Sequence, residues 1–263
     1  LVGSEMCIRD SKRAENYEGD GDERFHGKNG PLNVKKSTRK DDILLDKFIE
    51  AGSQAGFPLT KDFNGEHQEG FSRYEHTIKG SKRFSSARAY LHPALNRKNL
   101  FTKINITVDR VVFENKRAIG VEYFDKGVKR LITCNKEIIL SSGAINSPQI
   151  LMRSGVGEAK EISKHGINMV HELKGVGKNL QDHYAVVSQF ACTQPVTLHR
   201  SASFLKTMIA GIKYLTIGTG DASNPPCVGG AFIKSQPSKE VPDIQIHYVS
   251  LALQDVHGRT GVP

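Results

Sequence analysis

The stretch Glu137-Ile138-Ile139-Leu140-Ser141-Ser142 runs directly into Gly143-Ala144-Ile145-Asn146-Ser147-Pro148-Gln149-Ile150-Leu151-Met152-Arg153-Ser154-Gly155-Val156-Gly157. The first part reads as a short buried strand, an apolar run that ends in small residues. The second reads as a helix with Ser147 as N-cap and Pro148 in the first turn, where a missing N–H costs nothing. Gly155 suits the helix end, where a positive φ is wanted. A strand that sheds its side chains where a helix begins brings bare N–H groups close to a ligand, often an anionic one. Ser141, Ser142, Gly143 and Ala144 are therefore the leading candidates for binding, because small residues at a strand's carboxyl end permit close approach to a dinucleotide. The same residues also suit a tight turn that needs glycine only for geometry, and both readings can hold together.

Working outward, residues 107–113, 118–124 and 129–133 cluster or alternate β-branched and aromatic side chains, with Glu114-Asn115-Lys116 and Asp125-Lys126-Gly127 between them. This pattern predicts an antiparallel meander, with a further strand at 101–104. Residues 11–40 read as a polar loop. From Asp41 a helical spacing of Ile43, Leu44, Phe48 and Ile49 is closed by Ala51-Gly52. A helical turn over 86–91 is expected to stop before Pro93, and a short helix over 158–165 to stop at Gly166. Further on come a strand at 186–192, an amphipathic helix at 204–215, a break at Asn224-Pro225-Pro226, and strands at 229–233 and 244–249. The fold class is α/β (α+β).

The 263 residues suffice for one large domain or two smaller ones. A charge of +9, from 37 Lys and Arg against 28 Asp and Glu, is spread along the chain without aromatic interleaving. It describes a solvated basic surface better than a nucleic-acid footprint, so no nucleic-acid partner is expected. Cys7, Cys134, Cys192 and Cys227 are far apart and form no CxxC pair. They imply free thiols in a reducing, cytoplasmic setting and neither a disulfide framework nor a metal site. No apolar run approaches the length of a membrane span, which leaves peripheral membrane association open.

Several further blocks stand in a fixed order. These are His26-Gly27 with Gly30-Pro31-Leu32, Asp62-Phe63-Asn64-Gly65, Gln68-Glu69-Gly70-Phe71, Ser85-Ser86-Ala87-Arg88-Ala89-Tyr90-Leu91, Gly120-Val121-Glu122-Tyr123, and Gly175-Val176-Gly177-Lys178-Asn179-Leu180-Gln181-Asp182-His183. With the segment ending at Gly157 they resemble the glucose–methanol–choline (GMC) oxidoreductases, FAD enzymes that oxidise alcohols, and most of all those acting on choline and related alcohols. The resemblance covers roughly residues 25–190. It implies a partial FAD-binding domain over 11–190 containing the meander, the start of a substrate-binding domain over 191–263, and a non-native leader over 1–10. The activity implied is hydride transfer from an alcohol to flavin, giving an aldehyde, with quinone or oxygen as later acceptor. A non-catalytic basic binding module is the alternative.

The resemblance also assigns residues. Val108, an ordinary strand valine when read alone, falls where the family's chain meets the adenine of FAD through backbone groups. Asn179, Asp182 and His183 fall in a block that shapes the flavin site, and Asn64, Gln68 and Glu69 in blocks that line the approach to it. The family's GxGxxG pyrophosphate loop and its catalytic histidine have no counterpart in this sequence, so no catalytic residue is assigned here. The nearest match, Gly155-Val156-Gly157-Glu158-Ala159-Lys160, lacks the third glycine. The chain is accordingly read as an internal piece of a longer protein, expected to hold no stoichiometric FAD by itself.

Overall fold

A computed structural model describes residues 4–37, 42–198, 204–220, 223 and 225–250. The chain divides into two compact units, one of Leu1–Leu100 with Ser188–Pro263 and one of Phe101–Val187.

In the first unit, helix α1 (Ser4–Ala14) leads into β1 (Glu15–Tyr17), and β2 (Leu32–Lys36) pairs with β1 in parallel. Residues 11–17 and 32–36 are thus not the loop their composition suggests. Apolar content is too low to mark these elements, and it is the ladder that orders them. Helix α2 (Ile43–Gln54) is capped by Asp42, whose carboxylate accepts the Leu45 N–H at 3.1 Å. It runs past Ala51-Gly52, and Asp41 lies outside the described residues. β3 (Gly70–Arg73), β4 (Glu75–His76), the hairpin β5–β6 (Ile78–Lys79, Lys82–Arg83), a π-turn (Ala87–Leu91) and α3 (His92–Ala94) follow. Pro93 does not end the helical stretch. It sits in the first turn of α3, directly after the π-turn.

The second unit holds β7 (Ile106–Glu114), β8 (Arg117–Asp125) and β9 (Val128–Thr133), paired antiparallel in the order β7-β8-β9 as the meander predicts. Helix α4 (Gly143–Arg153) packs on β7, and β10 (Val156–Gly157), α5 (Ala159–Ser163) and β11 (His171–Glu172) follow. Three expectations are corrected. Residues 101–104 and 186–192 are not strands, and Phe101 and Phe190 are about nine-tenths exposed. Residues 137–140 pair with no described strand, and Ile139 is 77% exposed. A continuous apolar run is the pattern of a strand flanked on both sides. Without a ladder partner it neither forms a strand nor buries.

The chain returns to the first unit with α6 (Phe204–Thr216), β12 (Gly229–Ile233) and β13 (Ile244–Tyr248). β12 lies between β13 and β3 in an antiparallel sheet, with Phe232 opposite Gly70 and Gln245. α2 covers this sheet through the fully buried Leu45 and an aromatic cluster in which Phe48 meets Phe71 at 5.0 Å and Tyr248 at 5.3 Å. Gly52 allows the approach, since a Cβ there would stand 2.5 Å from the Phe71 ring. Asn224, part of the expected break, lies outside the described residues. Among those described, no helix is long and apolar enough to cross a membrane.

Candidate cofactor site

The start of α4 differs from the expected one in an instructive way. The helix begins at Gly143, four residues before Ser147, and its N-cap Ser142 makes no side-chain cap bond. Ser147 instead turns its hydroxyl back and accepts the Ser142 N–H at 2.9 Å. Pro148 therefore sits inside the helix, with no N–H to offer the carbonyl of Ala144 four residues back. Gly143 takes φ +88°, and nothing lies within 4 Å of where its Cβ would be. Ser141, Ser142, Gly143 and Ala144 are all exposed. Residues 141–144 thus bring small side chains and backbone N–H groups to the positive end of a helix dipole. At the other end Gly155 has φ +83°, as its position predicts.

Beside this helix lies a cleft of about 1080 Å³ between β7, α4 and residues 175–181. Ala144 and Asn179 both line it, so the structure brings these two candidates to one wall. Its cations are Arg110, Lys129, Arg153 and Lys178, against the carboxylate of Asp109. The charges form an alternating chain. Arg153 grips Asp109, Lys129 Nζ reaches Asp109 at 3.1 Å and Glu122 at 3.2 Å, and Arg110 Nε donates to Glu122 at 2.8 Å. Asp109 is buried, and the Arg153 hydrogen bond, opposed by burial and aided by Lys129, holds its carboxyl below the usual range. None of this network is legible from residue type, because its members come from β7, β8, β9 and α4.

Val108 lies on β7 opposite Tyr123, next to a register shift between Val108 and Arg110. Asp182 and His183 are almost wholly exposed, at 99% and 98% of their side chains, and their 3.9 Å approach makes no buried pair.

The approach candidates belong to the first unit. Asn64 is exposed, and its backbone N–H donates to Asp62 Oδ1 at 2.9 Å. Gln68 is exposed as well. The Glu69 carboxylate is paired with Lys234 at 3.1 Å, so it does not stand as a free negative charge that would attract a cation. A site-like cluster that residue-by-residue reading passes over is the buried His26, held between Glu15 and Asp62.

The family model for GMC oxidoreductases matches residues 3–185, well over half of the chain. This chain belongs to the GMC oxidoreductase family. Human mitochondrial choline dehydrogenase is 45% identical over 253 residues, covering 96% of this GMC chain and 42% of the human protein. The oxygen-dependent choline dehydrogenase of Brucella ovis is 42% identical over 243 residues, 92% of this chain and 44% of its own length. The GMC chain therefore spans about two-fifths of the curated relatives it matches. Among solved structures, pyridoxine 4-oxidase from Mesorbium loti superposes with a TM-score of 0.63 at 29% identity, over 67% of this chain and 34% of that one. An FAD-dependent oxidoreductase from Chaetomium thermophilum superposes with a TM-score of 0.75 over 86% of this chain and 42% of that one. At 20% identity this likeness speaks for the fold alone.

Proposed function

We propose that this chain supplies part of the cofactor-binding framework of an FAD-dependent oxidoreductase that converts a choline-like or other primary alcohol to its aldehyde. The observation that carries the reading is the open start of α4, where four small, exposed residues and first-turn N–H groups that the Ser142 side chain does not cap suit the close approach of a dinucleotide. The residues fit the group. Ser141, Ser142, Gly143 and Ala144 would hold it by backbone contact, Val108 would meet the adenine, and Asn179 would border the site from the cleft wall. Asn64, Gln68, Glu69, Asp182 and His183 would shape the surroundings of the flavin in the complete protein. Bound FAD supplies a hydride acceptor, and quinone or oxygen would reoxidise it. Removal of the hydroxyl proton needs a base that this chain is not assigned.

The choline dehydrogenases at 42–45% identity support a choline-like substrate. The separated cysteines support a reducing compartment such as the cytoplasm, while the human relative is mitochondrial, and imaging of the tagged full-length protein would separate the two. The deciding experiment uses the full-length protein. It should purify with a flavin absorbance band that choline bleaches under anaerobic conditions, with one aldehyde formed per flavin reduced. Absence of flavin, or a band that no alcohol bleaches, would overturn the proposal.

A further inference from the structure

Strand β7 departs from a regular ladder at one residue. Val108 opposes Tyr123 and Arg110 opposes Glu122, the very next residue back along β8, so Asp109 is the extra residue of a bulge. A bulged residue has no ladder partner, and the sheet alone leaves its position undetermined. Here the last turn of α4 and a side chain from β9, the next strand but one, determine it. Arg153 Nε donates to the Asp109 backbone carbonyl at 3.0 Å, while its guanidinium also grips the Asp109 carboxylate. Lys129 on β9 reaches the other carboxylate oxygen at 3.1 Å. Two residues on, Val111 turns its backbone N–H towards α4 and donates to Ser154 Oγ at 2.8 Å, and that hydroxyl donates to the Ile150 carbonyl at 2.5 Å. Asp109 and Ser154 are both buried.

The consequence is geometric. The residue before the bulge is Val108, and the far end of the same eleven-residue helix carries Gly143 and Ala144. Arg153 and Ser154 thus join the strand that bears one candidate contact to the helix that bears the others. An arginine is suited to this task because one planar guanidinium can hold a carbonyl and a carboxylate of the same residue at once. A lysine could not do both in fixed geometry.

We infer that Arg153, anchored on Asp109, and Ser154, anchored on the Val111 N–H, are positioning residues that set the separation between the Val108 backbone and the start of α4, and with it the affinity for the adenine half of the cofactor. The inference rests on the proposed FAD reading. It predicts damage confined to adenine recognition, transmitted through the backbone and requiring no loss of the fold.

The test uses apoenzyme of the full-length protein. Dissociation constants are measured for FAD by fluorescence and for ADP by calorimetry, with the melting temperature of each apoprotein. Arg153→Leu should weaken FAD and ADP by the same factor, roughly tenfold, the scale of a lost charged hydrogen bond. Arg153→Lys should recover part of that loss, and Ser154→Ala, which removes a single hydroxyl, should weaken both ligands several-fold. Val108→Pro and Ala144→Phe serve as controls for the cofactor reading itself. If they bind FAD like the wild type, that reading has failed. If they lose FAD while Ser154→Ala and either folded Arg153 variant keep both constants within twofold, the positioning inference is overturned. Unequal losses for FAD and ADP, or a smaller folded fraction at unchanged constants, would overturn it too. Should Arg153→Leu not fold, Ser154→Ala and Arg153→Lys decide the matter.

Discussion

His26 Nε2 stands 2.7 Å from Asp62 Oδ2, while the opposite ring nitrogen stands 3.1 Å from Glu15 Oε2. A neutral imidazole has one N–H, so both contacts are attractive only when the ring is doubly protonated. The side chain is 2% exposed and stacks on Tyr17 at 3.9 Å. Asp62 also anchors the Asn64 turn, so one buried cation ties β1 and the loop after it to the turn that carries a proposed flavin-approach residue. Glu75, with Lys36 beside it, and the Tyr17 hydroxyl complete the cluster.

This arrangement predicts a pH dependence of stability. Burial alone would lower the His26 pKa, but the hydrogen bonds and charges of Asp62 and Glu15 outweigh it and the net shift is upward. With a folded value above the unfolded value of about 6.5, the stabilisation is complete below that pH and is lost as pH rises through the folded value. The melting temperature of the wild type should therefore fall more steeply than that of His26→Gln from about pH 6.5 upward. Parallel slopes would rule the imidazolium out.

Removing the ring should also be costly at neutral pH. His26→Ala leaves two carboxylates facing each other without their shared cation, which predicts a loss of about 3 kcal/mol in denaturant unfolding. A loss below about 1 kcal/mol would mean that the cluster is solvated, as exposed pairs are.

On the α2 side, Leu45 is fully buried and Asp42 caps the helix. Leu45→Ala should cost about 2–5 kcal/mol, and Asp42→Ala about 1 kcal/mol for the cap. Asp42 also accepts from Ser250 Oγ at 3.2 Å, so its loss should exceed that of an isolated cap. Chemical denaturation of the two variants would check the order.

In the second unit, Asp109 and Glu122 share Lys129 but differ in burial, with 8% and 19% of their side chains exposed. Arg110, the other partner of Glu122, is half exposed. Glu122→Gln should cost less than about 1 kcal/mol and lose its effect in high salt. Asp109→Asn should cost more. Because the Asp109 pKa is depressed, its contribution is present above the unfolded value of about 3.9 and disappears as pH falls through the folded value. Acid titration of both variants by circular dichroism would separate them.

For the cofactor, Val108→Ile adds one methylene to a half-buried strand position and should leave FAD affinity within about threefold, since the proposed contact is made by the backbone. Val108→Pro removes the N–H and should abolish tight binding. Equal affinities of the two variants, measured by flavin fluorescence, would place the adenine elsewhere.

Much of the second unit was legible in the residues. β-branched alternation around Glu114-Asn115-Lys116 and Asp125-Lys126-Gly127 predicts the meander, and the positive φ of Asn115, Lys116, Lys126 and Gly127 is what such tight turns require. Gly155 predicts the end of α4. The start of that helix was misread because Ser147-Pro148 resembles a cap, whereas the Ser147 hydroxyl bonds back to the chain before the helix. Residues 137–140 were misread because an apolar run reports a preference for pairing and says nothing about the partner.

The sequence by itself determined the family, the meander, and the glycine end of α4, since these depend on contacts between near neighbours or on motifs held in order. Only the tertiary structure decided that Arg153 would secure a bulge at Asp109, that Ser154 would hold the Val111 N–H, and that His26 would lie between Glu15 and Asp62. These partners stand 44, 43, 11 and 36 residues apart. Charge and periodicity show which side chains need a partner. Which partner each one meets depends on how distant segments are brought together, and a carboxylate in a strand pattern gives no sign of the arginine that will neutralise it.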